Sequence, residues 1–411
     1  MVSRPPAHAR TRTSATRHRL AGKGRLAASR ALAAVAATLL VALPALGQED
    51  VSAIPFHEYD PPSTLVVPAH PLERARFPFI DVHSHQGQMA DQDLSGLVRD
   101  MDELNMAVMV NLSGKGFRRV TNPDGTSRFG FQSTDYLKRS VDNAKRQAPG
   151  RFIVFTNLDT GGIDEPGWAE RATAELSADV ANGAKGLKIY KNLGMDAKDG
   201  SGKRIPVDDP RLDPIWAMCG ELGVPVLIHT ADPAPFWQPR TAENERLLEL
   251  MERPGRYRDP AENPSFEELL AEQHAVFRKH PGTTFIDAHL GWLGHDLGRL
   301  GRLLDELPNV HTEIGAVLAE LGRQPRAARD FLIRYQDRVL FGKDSWNPEE
   351  YPVYFRVLET ADEYFDYYRR RHAFWKIYGL DLPDEVLRKI YYGNALRILP
   401  GLDATLFPPA P

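Results

Sequence analysis

The sequence predicts a (β/α)8 barrel, preceded by an export segment and an extended arm. Three observations predict it. Eight short apolar runs rich in β-branched residues recur along the chain, longer amphipathic stretches separate them, and three of the runs end in His. Short apolar runs alternating with helical stretches are the pattern of βα units around a parallel sheet. In a closed barrel of such units the active residues sit at the C-terminal ends of the strands.

The first 47 residues are set apart from this pattern. Met1 to Arg30 is rich in Arg and has no acid, and Ala31 to Gly47 is apolar and small. Ala45 and Gly47 suit cleavage before Gln48, which makes residues 1–47 a signal peptide and the mature protein secreted or periplasmic. The alternative is an uncleaved anchor, because the apolar run approaches spanning length. After cleavage no stable membrane insertion is expected. Residues 48–78 carry many prolines and little periodicity, and are expected to form an extended arm. The barrel is expected over 79–400, with a short tail at 401–411.

The net charge is −4, and the leader carries eight Arg and Lys residues with no acid, so the mature chain is more acidic still and carries no basic face for nucleic acid. A single cysteine, Cys219, rules out an intrachain disulfide, so stability after export must come from core burial.

The eight runs are expected at Phe79–His83, Ala107–Leu112, Phe152–Asn157, Gly186–Tyr190, Val224–His229, Thr284–His289, Val310–Ile314 and Arg338–Phe341. Helices are expected between them, including Leu94–Asn105, Asp135–Gln147, Glu170–Ala181, Phe266–Lys279 and Arg326–Tyr335, with Asp384–Leu399 closing the chain. A doubly wound open sheet is the rival. It wants a Gly-rich phosphate turn after an early strand, whereas the first run here ends in HSHQGQ.

The chemistry lies at the strand ends. His83 and His85 are two residues apart, and a period of two points both to one side. His229 ends the fifth run, His289 the sixth, and Asp344 follows the eighth. A lone HxH in a strand is more often incidental than a ligand pair, and each later His taken alone is an ordinary polar strand end. Jointly, in barrel order, imidazoles and a carboxylate at one mouth make a site for zinc or a similar divalent ion. In GLKIY, Lys188 shares a face with Gly186 and Tyr190 and points inward, whereas Lys191 falls on the other face if the strand continues. Asp81 is expected on the inner face of the first strand, as a partner orienting a histidine or as a structural carboxylate. Glu313 is a further candidate for the mouth, its register left open.

The segments IDVHSH, GLKIYK, VPVLIHT, DAHLGW, LFGKDS and GNALRIL run in order from residue 80 to 399. Together they resemble the amidohydrolase superfamily, and within it the amidohydrolase-related branch that includes aminocarboxymuconate-semialdehyde decarboxylase and related lactone hydrolases. The resemblance implies that His83, His85, His229 and Asp344 surround one catalytic divalent metal, zinc first and manganese second. It implies that His289 lies beside it, polarising substrate or stabilising charge. In two-metal relatives a lysine on the fourth strand is carboxylated and bridges the ions; otherwise Lys188 binds a substrate carboxylate or pairs with Asp344. The ligand set does not name the reaction. Hydrolysis of an ester, lactone or amide is the first reading. Non-oxidative decarboxylation of an aromatic or enol acid is the second, and a degenerate barrel that only binds a ligand is the third.

Substrate contacts are expected from loops and from a small molecule's chemistry. In Ser113–Arg119, Lys115, Arg118 or Arg119 could hold an anionic group, with solvated surface charge the blander reading. Asp232–Pro264 is long and proline-rich and carries Trp237, which suits a lid over the mouth. The aromatic stretch Tyr351–Tyr378 reads as a packed insertion or a homodimer contact before it reads as a substrate wall. N-terminal sequencing of the exported protein should begin near Gln48; an Arg-rich segment retained in a membrane fraction would contradict the cleavage.

Overall fold

The structure, a computed structural model, describes residues 54–121 and 127–409. The expected signal peptide lies outside the described residues, as does the beginning of the expected arm. Residues 54–59 belong to a separate N-terminal unit and form one turn. The rest of the description concerns the unit that starts at Asp60. Among its described residues, no helix is long and apolar enough to cross a membrane.

The strands are β1 (Phe79–Ser84), β2 (Met106–Asn111), β3 (Phe117–Thr121), β4 (Ser127–Phe131), β5 (Phe152–Val154), β6 (Thr156–Asn157), β7 (Leu187–Ile189), β8 (Val226–Ile228), β9 (Phe285–Asp287), β10 (Val310–Glu313) and β11 (Val339–Leu340). All but β3 and β4 run parallel to their neighbours, in the orders β1-β2-β5 and β6-β7-β8-β9-β10-β11. β5 and β6 are halves of one strand interrupted at Phe155. The Phe155 amide donates to Asn111 O at 2.9 Å on one side, and the Thr156 amide to Gly186 O at 2.8 Å on the other. The circle closes where the Val82 amide donates to Phe341 O at 3.0 Å and the Asp344 amide to His83 O at 2.7 Å. The chain therefore forms an eight-stranded parallel barrel, as the alternation of runs predicts.

Every residue of β1, β7, β8, β9 and β10 is buried, because the strands face the interior on one side and helices on the other. Helices Ser95–Leu104, Thr134–Gln147, Trp168–Ala181, Asp213–Glu221, Phe266–Lys279, Leu297–Glu306 and Pro325–Arg334 cover the outside. Two of their starts carry side-chain caps. Ser265 accepts from the Glu268 amide at 3.1 Å, and Asp296 from the Arg299 amide at 2.9 Å.

The expected strands and helices lie within a residue or two of the observed ones. The expected arm has no helix or strand from Asp60 to Pro78; it is tied to the body by the His70 amide, which donates to Asp362 Oδ2 at 2.6 Å. The loop expected at Ser113–Arg119 differs: its second half is β3 of an antiparallel hairpin with β4. The hairpin is hard to see in sequence because Phe117, Phe129 and Phe131 alternate with Arg and Gly, and all three rings pack on one residue, Tyr190, at 5.7–5.8 Å. The Asp232–Pro264 segment holds two 3-10 turns, Ala234–Trp237 and Pro254–Arg256, and between them a short α-helix, Leu247–Glu252. The aromatic stretch begins with a packed helix, Tyr351–Glu359, in which Tyr351, Tyr354 and Phe355 are buried.

One buried carboxylate ties the first and last strands together. Asp81 Oδ1 accepts from the amides of His83 at 2.9 Å and Lys343 at 3.2 Å, and Oδ2 from the Tyr351 hydroxyl at 2.6 Å. Asp81 thus serves backbone geometry and not an imidazole ring, and burial raises its carboxyl to about 7. Tyr351→Phe leaves that carboxyl oxygen without its donor, which should cost about 1–3 kcal/mol of stability. Denaturant unfolding monitored by circular dichroism will show a lower midpoint at unchanged slope if the tie matters, and an unchanged midpoint if it does not.

Candidate metal centre

β1 delivers His83, and the turn after it delivers His85. β11 delivers Asp344 through a left-handed residue (φ 86°) whose amide is pinned to His83 O. Aspartate tolerates that conformation better than most side chains do. Asp344 Oδ1 lies 3.5 Å from both His83 Nε2 and His85 Nε2, and the ligand atoms of this trio lie within 4.8 Å of one another. Two ligand atoms held at ~2.1 Å from a common ion at a tetrahedral angle stand ~3.4 Å apart. The donor spacing therefore fits a divalent ion.

Both imidazoles are oriented from behind. His83 Nδ1 meets Glu313 Oε1 at 3.0 Å. A carboxylate only accepts, so Nδ1 carries the proton and the Nε2 lone pair faces Asp344. His85 Nδ1 meets Ser113 Oγ at 2.8 Å and Tyr190 Oη at 3.2 Å, and those two hydroxyls meet each other at 2.7 Å. Burial, reinforced by Lys188, pushes the His83 imidazole down to about 3. Burial also lowers His85. For Asp344, burial pulls upward, but the hydrogen bond from His85 and the neighbouring imidazoles outweigh it and hold the carboxyl well below its usual range. Neutral imidazoles and an ionised carboxylate are the donor chemistry a divalent ion requires.

Glu313 is the hub behind the trio. Its Oε1 also accepts from the His289 amide at 2.6 Å, and Oε2 accepts from the Gly315 amide at 2.5 Å. Burial alone would raise this carboxyl, but the His83 and His289 donors bring it down to about 2. Glycine is required around it. A Cβ at Gly342 would stand 2.4 Å from Glu313 Oε2, and one at Gly315 would stand 2.6 Å from the same atom.

His289 stacks on His83 with centroids 4.8 Å apart, and its Nδ1 meets Gly315 O at 2.8 Å, which leaves Nε2 as a buried acceptor without a partner among the described residues. It opens a left-handed turn in which His289, Leu290, Gly291 and Trp292 all have φ of 53–60°. His229 stands beside the trio and outside it: its ring meets His289 edge-on at 4.4 Å, and its Nε2 faces Trp292 Nε1 at 3.4 Å. Trp292 Nε1 is in hydrogen-bond reach of the lone pair that a ligand role would use, and His229 remains the fourth candidate beside His83, His85 and Asp344. Lys188 is fully buried, with Nζ 3.4 Å from His83 Nε2, and burial lowers its ammonium to about 7.

The expected substrate residues lie elsewhere. Arg118 donates to Phe131 O within its own hairpin, and Arg119 is exposed on the same strand. Lys115 is buried against Glu175 and Asp179. Trp237 Nε1 donates to Pro264 O at 2.8 Å and so braces the long segment it belongs to. Among the described residues none of these four touches the trio. Ser113, Tyr190 and Trp292 are the neighbours that sequence reasoning did not single out, although Tyr190 was placed on the inward face of its strand.

A family model described as Amidohydrolase matches residues 80–401. Among solved structures, an uncharacterised TIM-barrel protein from Bordetella bronchiseptica is 16% identical, with 78% of this chain and 97% of that chain covered and a TM-score of 0.48. A putative amidohydrolase from Staphylococcus aureus is 17% identical, with 78% and 99% covered and a TM-score of 0.47. A 2,6-dihydroxybenzoate decarboxylase is 15% identical, with 78% and 99% covered and a TM-score of 0.47. No curated protein matches the chain.

Glu313→Gln keeps the shape but turns an NH2 group toward N–H donors. Loss of such an orienting partner typically costs about 10–100-fold in metal affinity. Competition of the folded variant against a chelator should show that loss, and wild-type affinity would take Glu313 out of the site.

Proposed function

Because the chain belongs to the amidohydrolase family over residues 80–401, we propose that it is a metal-dependent hydrolase that uses water to split an ester, lactone or amide bond of a small molecule. The observation that carries the reading is the 3.5 Å convergence of His83 and His85 on Asp344. His83, His85 and Asp344 would hold one divalent ion, with zinc the first expectation for two imidazoles and a carboxylate and manganese the second. When bound there, the ion supplies Lewis acidity toward a carbonyl oxygen and toward water.

The chain's own groups divide the remaining work. Asp344 is the member of the trio with the most solvent contact, its side chain 33% exposed against 1% for His83. Its ionised carboxylate can accept a proton from water and later return it to a leaving group. His289, with its free Nε2, is placed to accept a hydrogen bond or a proton on the other side of His83. Lys188 offers a buried donor to a developing negative charge or to a substrate carboxylate. Ser113, Tyr190 and Glu313 hold the rings in register, so little reorganisation is needed when substrate arrives. Action outside the cytoplasm, from the leader expected over residues 1–47, belongs to the same reading.

Elemental analysis should find about one divalent ion per chain, lost when His83 and His85 are both changed to Ala. Asp344→Asn keeps the shape, suits the left-handed backbone and removes the charge. At saturating metal its turnover should fall at least ~100-fold, assayed on ester, lactone and amide panels with metal content measured in the same sample. Near-normal turnover at full occupancy would remove Asp344 from proton transfer, and release of CO2 from carboxylic acids with no hydrolysis would replace the hydrolase reading with the decarboxylase one.

A further inference from the structure

The mouth carries a second built cluster that the hydrolytic reading does not use. Asp232 lies three residues beyond His229, just after Ala231, whose backbone is left-handed (φ 64°). Its side chain is 5% exposed and faces two cations. Lys191 Nζ meets Oδ1 at 2.5 Å. Arg258 reaches Oδ2 with Nη2 at 2.6 Å and Nε at 3.0 Å. Lys191 stands where β7 gives way to a short helical turn, Asn192–Met195. The chain therefore leaves the strand path, and Lys191 does not take the opposite face that strand alternation predicts. Because the His229 amide donates to Ile189 O at 3.0 Å, Lys191 and Asp232 cap adjacent strand ends.

The charge count is unequal. Arg258 alone satisfies one oxygen of Asp232 twice over, and the Arg258 amide, donating to Phe236 O at 2.9 Å, fixes the long segment without help from Lys191. An ammonium has three donors, and one is used here. Among the described residues no further acceptor meets Lys191 Nζ or Arg258 Nη1. The side chain of Lys191 is 36% exposed and that of Arg258 14%. Two part-exposed cations on one buried carboxylate leave one positive charge in excess at the ends of β7 and β8, with N–H groups free for a charge-assisted hydrogen bond.

We propose that Lys191 and Arg258, held by Asp232, form a subsite for a carboxylate borne by the substrate, so that the enzyme selects anionic small molecules over their neutral counterparts. The inference rests on the reading that the substrate reacts at the His83–His85–Asp344 mouth. It adds, at the ends of β7 and β8, an anion contact distinct from the hairpin arginines and from Lys115, which is taken up by Glu175 and Asp179.

The test uses the full mature chain loaded with zinc, and compares calorimetric binding of succinate with that of succinamide, its neutral isostere. The wild type should prefer succinate by about tenfold, the margin expected of one partly exposed ion pair with additional donors, and should lose the margin as salt is raised. Lys191→Met should abolish the preference and Lys191→Arg should retain it, with zinc content and the circular dichroism spectrum unchanged in both. No preference in the wild type, or an undiminished preference in Lys191→Met, overturns the proposal. Inorganic phosphate run in parallel separates a carboxylate subsite from a general anion site, and equal affinity for phosphate and succinate counts against the assignment. The outcomes are separable from those of the hydrolase reading. Zinc binding without any hydrolysis leaves a Lys191-dependent succinate preference standing, and hydrolysis by the wild type without any Lys191-dependent succinate preference removes the subsite while leaving the hydrolase intact.

Discussion

A carboxylate buried inside a barrel must either keep its proton or be surrounded by donors, and Glu313 is surrounded. His83 Nδ1, the His289 amide and the Gly315 amide all point at its two oxygens. This single arrangement sets the tautomer of His83, anchors the start of the left-handed turn that carries His289 and Trp292, and excludes side chains from Gly315 and Gly342. Remove the charge and each of those features loses its reason. Asp81 does similar work one layer away, where it joins the His83 and Lys343 amides to Tyr351. The difference in their electrostatics follows from their donors. Glu313 has imidazole beside it and stays ionised, whereas Asp81 is neutralised more readily because burial dominates.

Much of this was legible in the sequence because barrel strands obey simple rules. Runs buried on both faces read as continuous apolar segments, and polar residues that interrupt their C-terminal ends stand out for the cost of burying them. His83, His85, Asp344, His289 and the inward face of Lys188 and Tyr190 were all recoverable on that basis. What escaped is what alternation cannot see. Ser113 and Tyr190 orient His85 through hydroxyls that serve equally well as ordinary surface groups. Lys191 falls on the other face only if the strand continues, and nothing in GLKIYKN signals that it stops at Ile189. For Arg118 and Arg119 the sequence leaves anion binding and solvated surface charge both open, because charge in a loop after a strand is ambiguous until a hairpin partner is known. His229 was placed correctly on its strand end, yet Trp292, far along the chain, decides what its Nε2 meets.

The backbone at the mouth has a pattern of its own. Each of the last four strands is followed closely by a non-glycine residue with positive φ: Ala231 after β8, His289 with Leu290 and Trp292 after β9, Ala316 after β10 and Asp344 after β11. Each such residue costs of order 1–3 kcal/mol, and the cost is met because the surrounding barrel over-determines the path. A right-handed exit from a strand would send the next side chains toward the covering helices. A left-handed one turns the chain back over the barrel end, which is how Asp344 comes to lie against two imidazoles from the opposite end of the sequence. The strain is therefore concentrated on the half of the rim that carries Asp232, His289 and Asp344, while β1 contributes His83 and His85 from unstrained backbone. Stability and site geometry are in tension only on that half of the rim. A substitution that relaxes one of those corners would be expected to strengthen the fold and to widen the spacing of the ligands, because the same dihedral angles serve both.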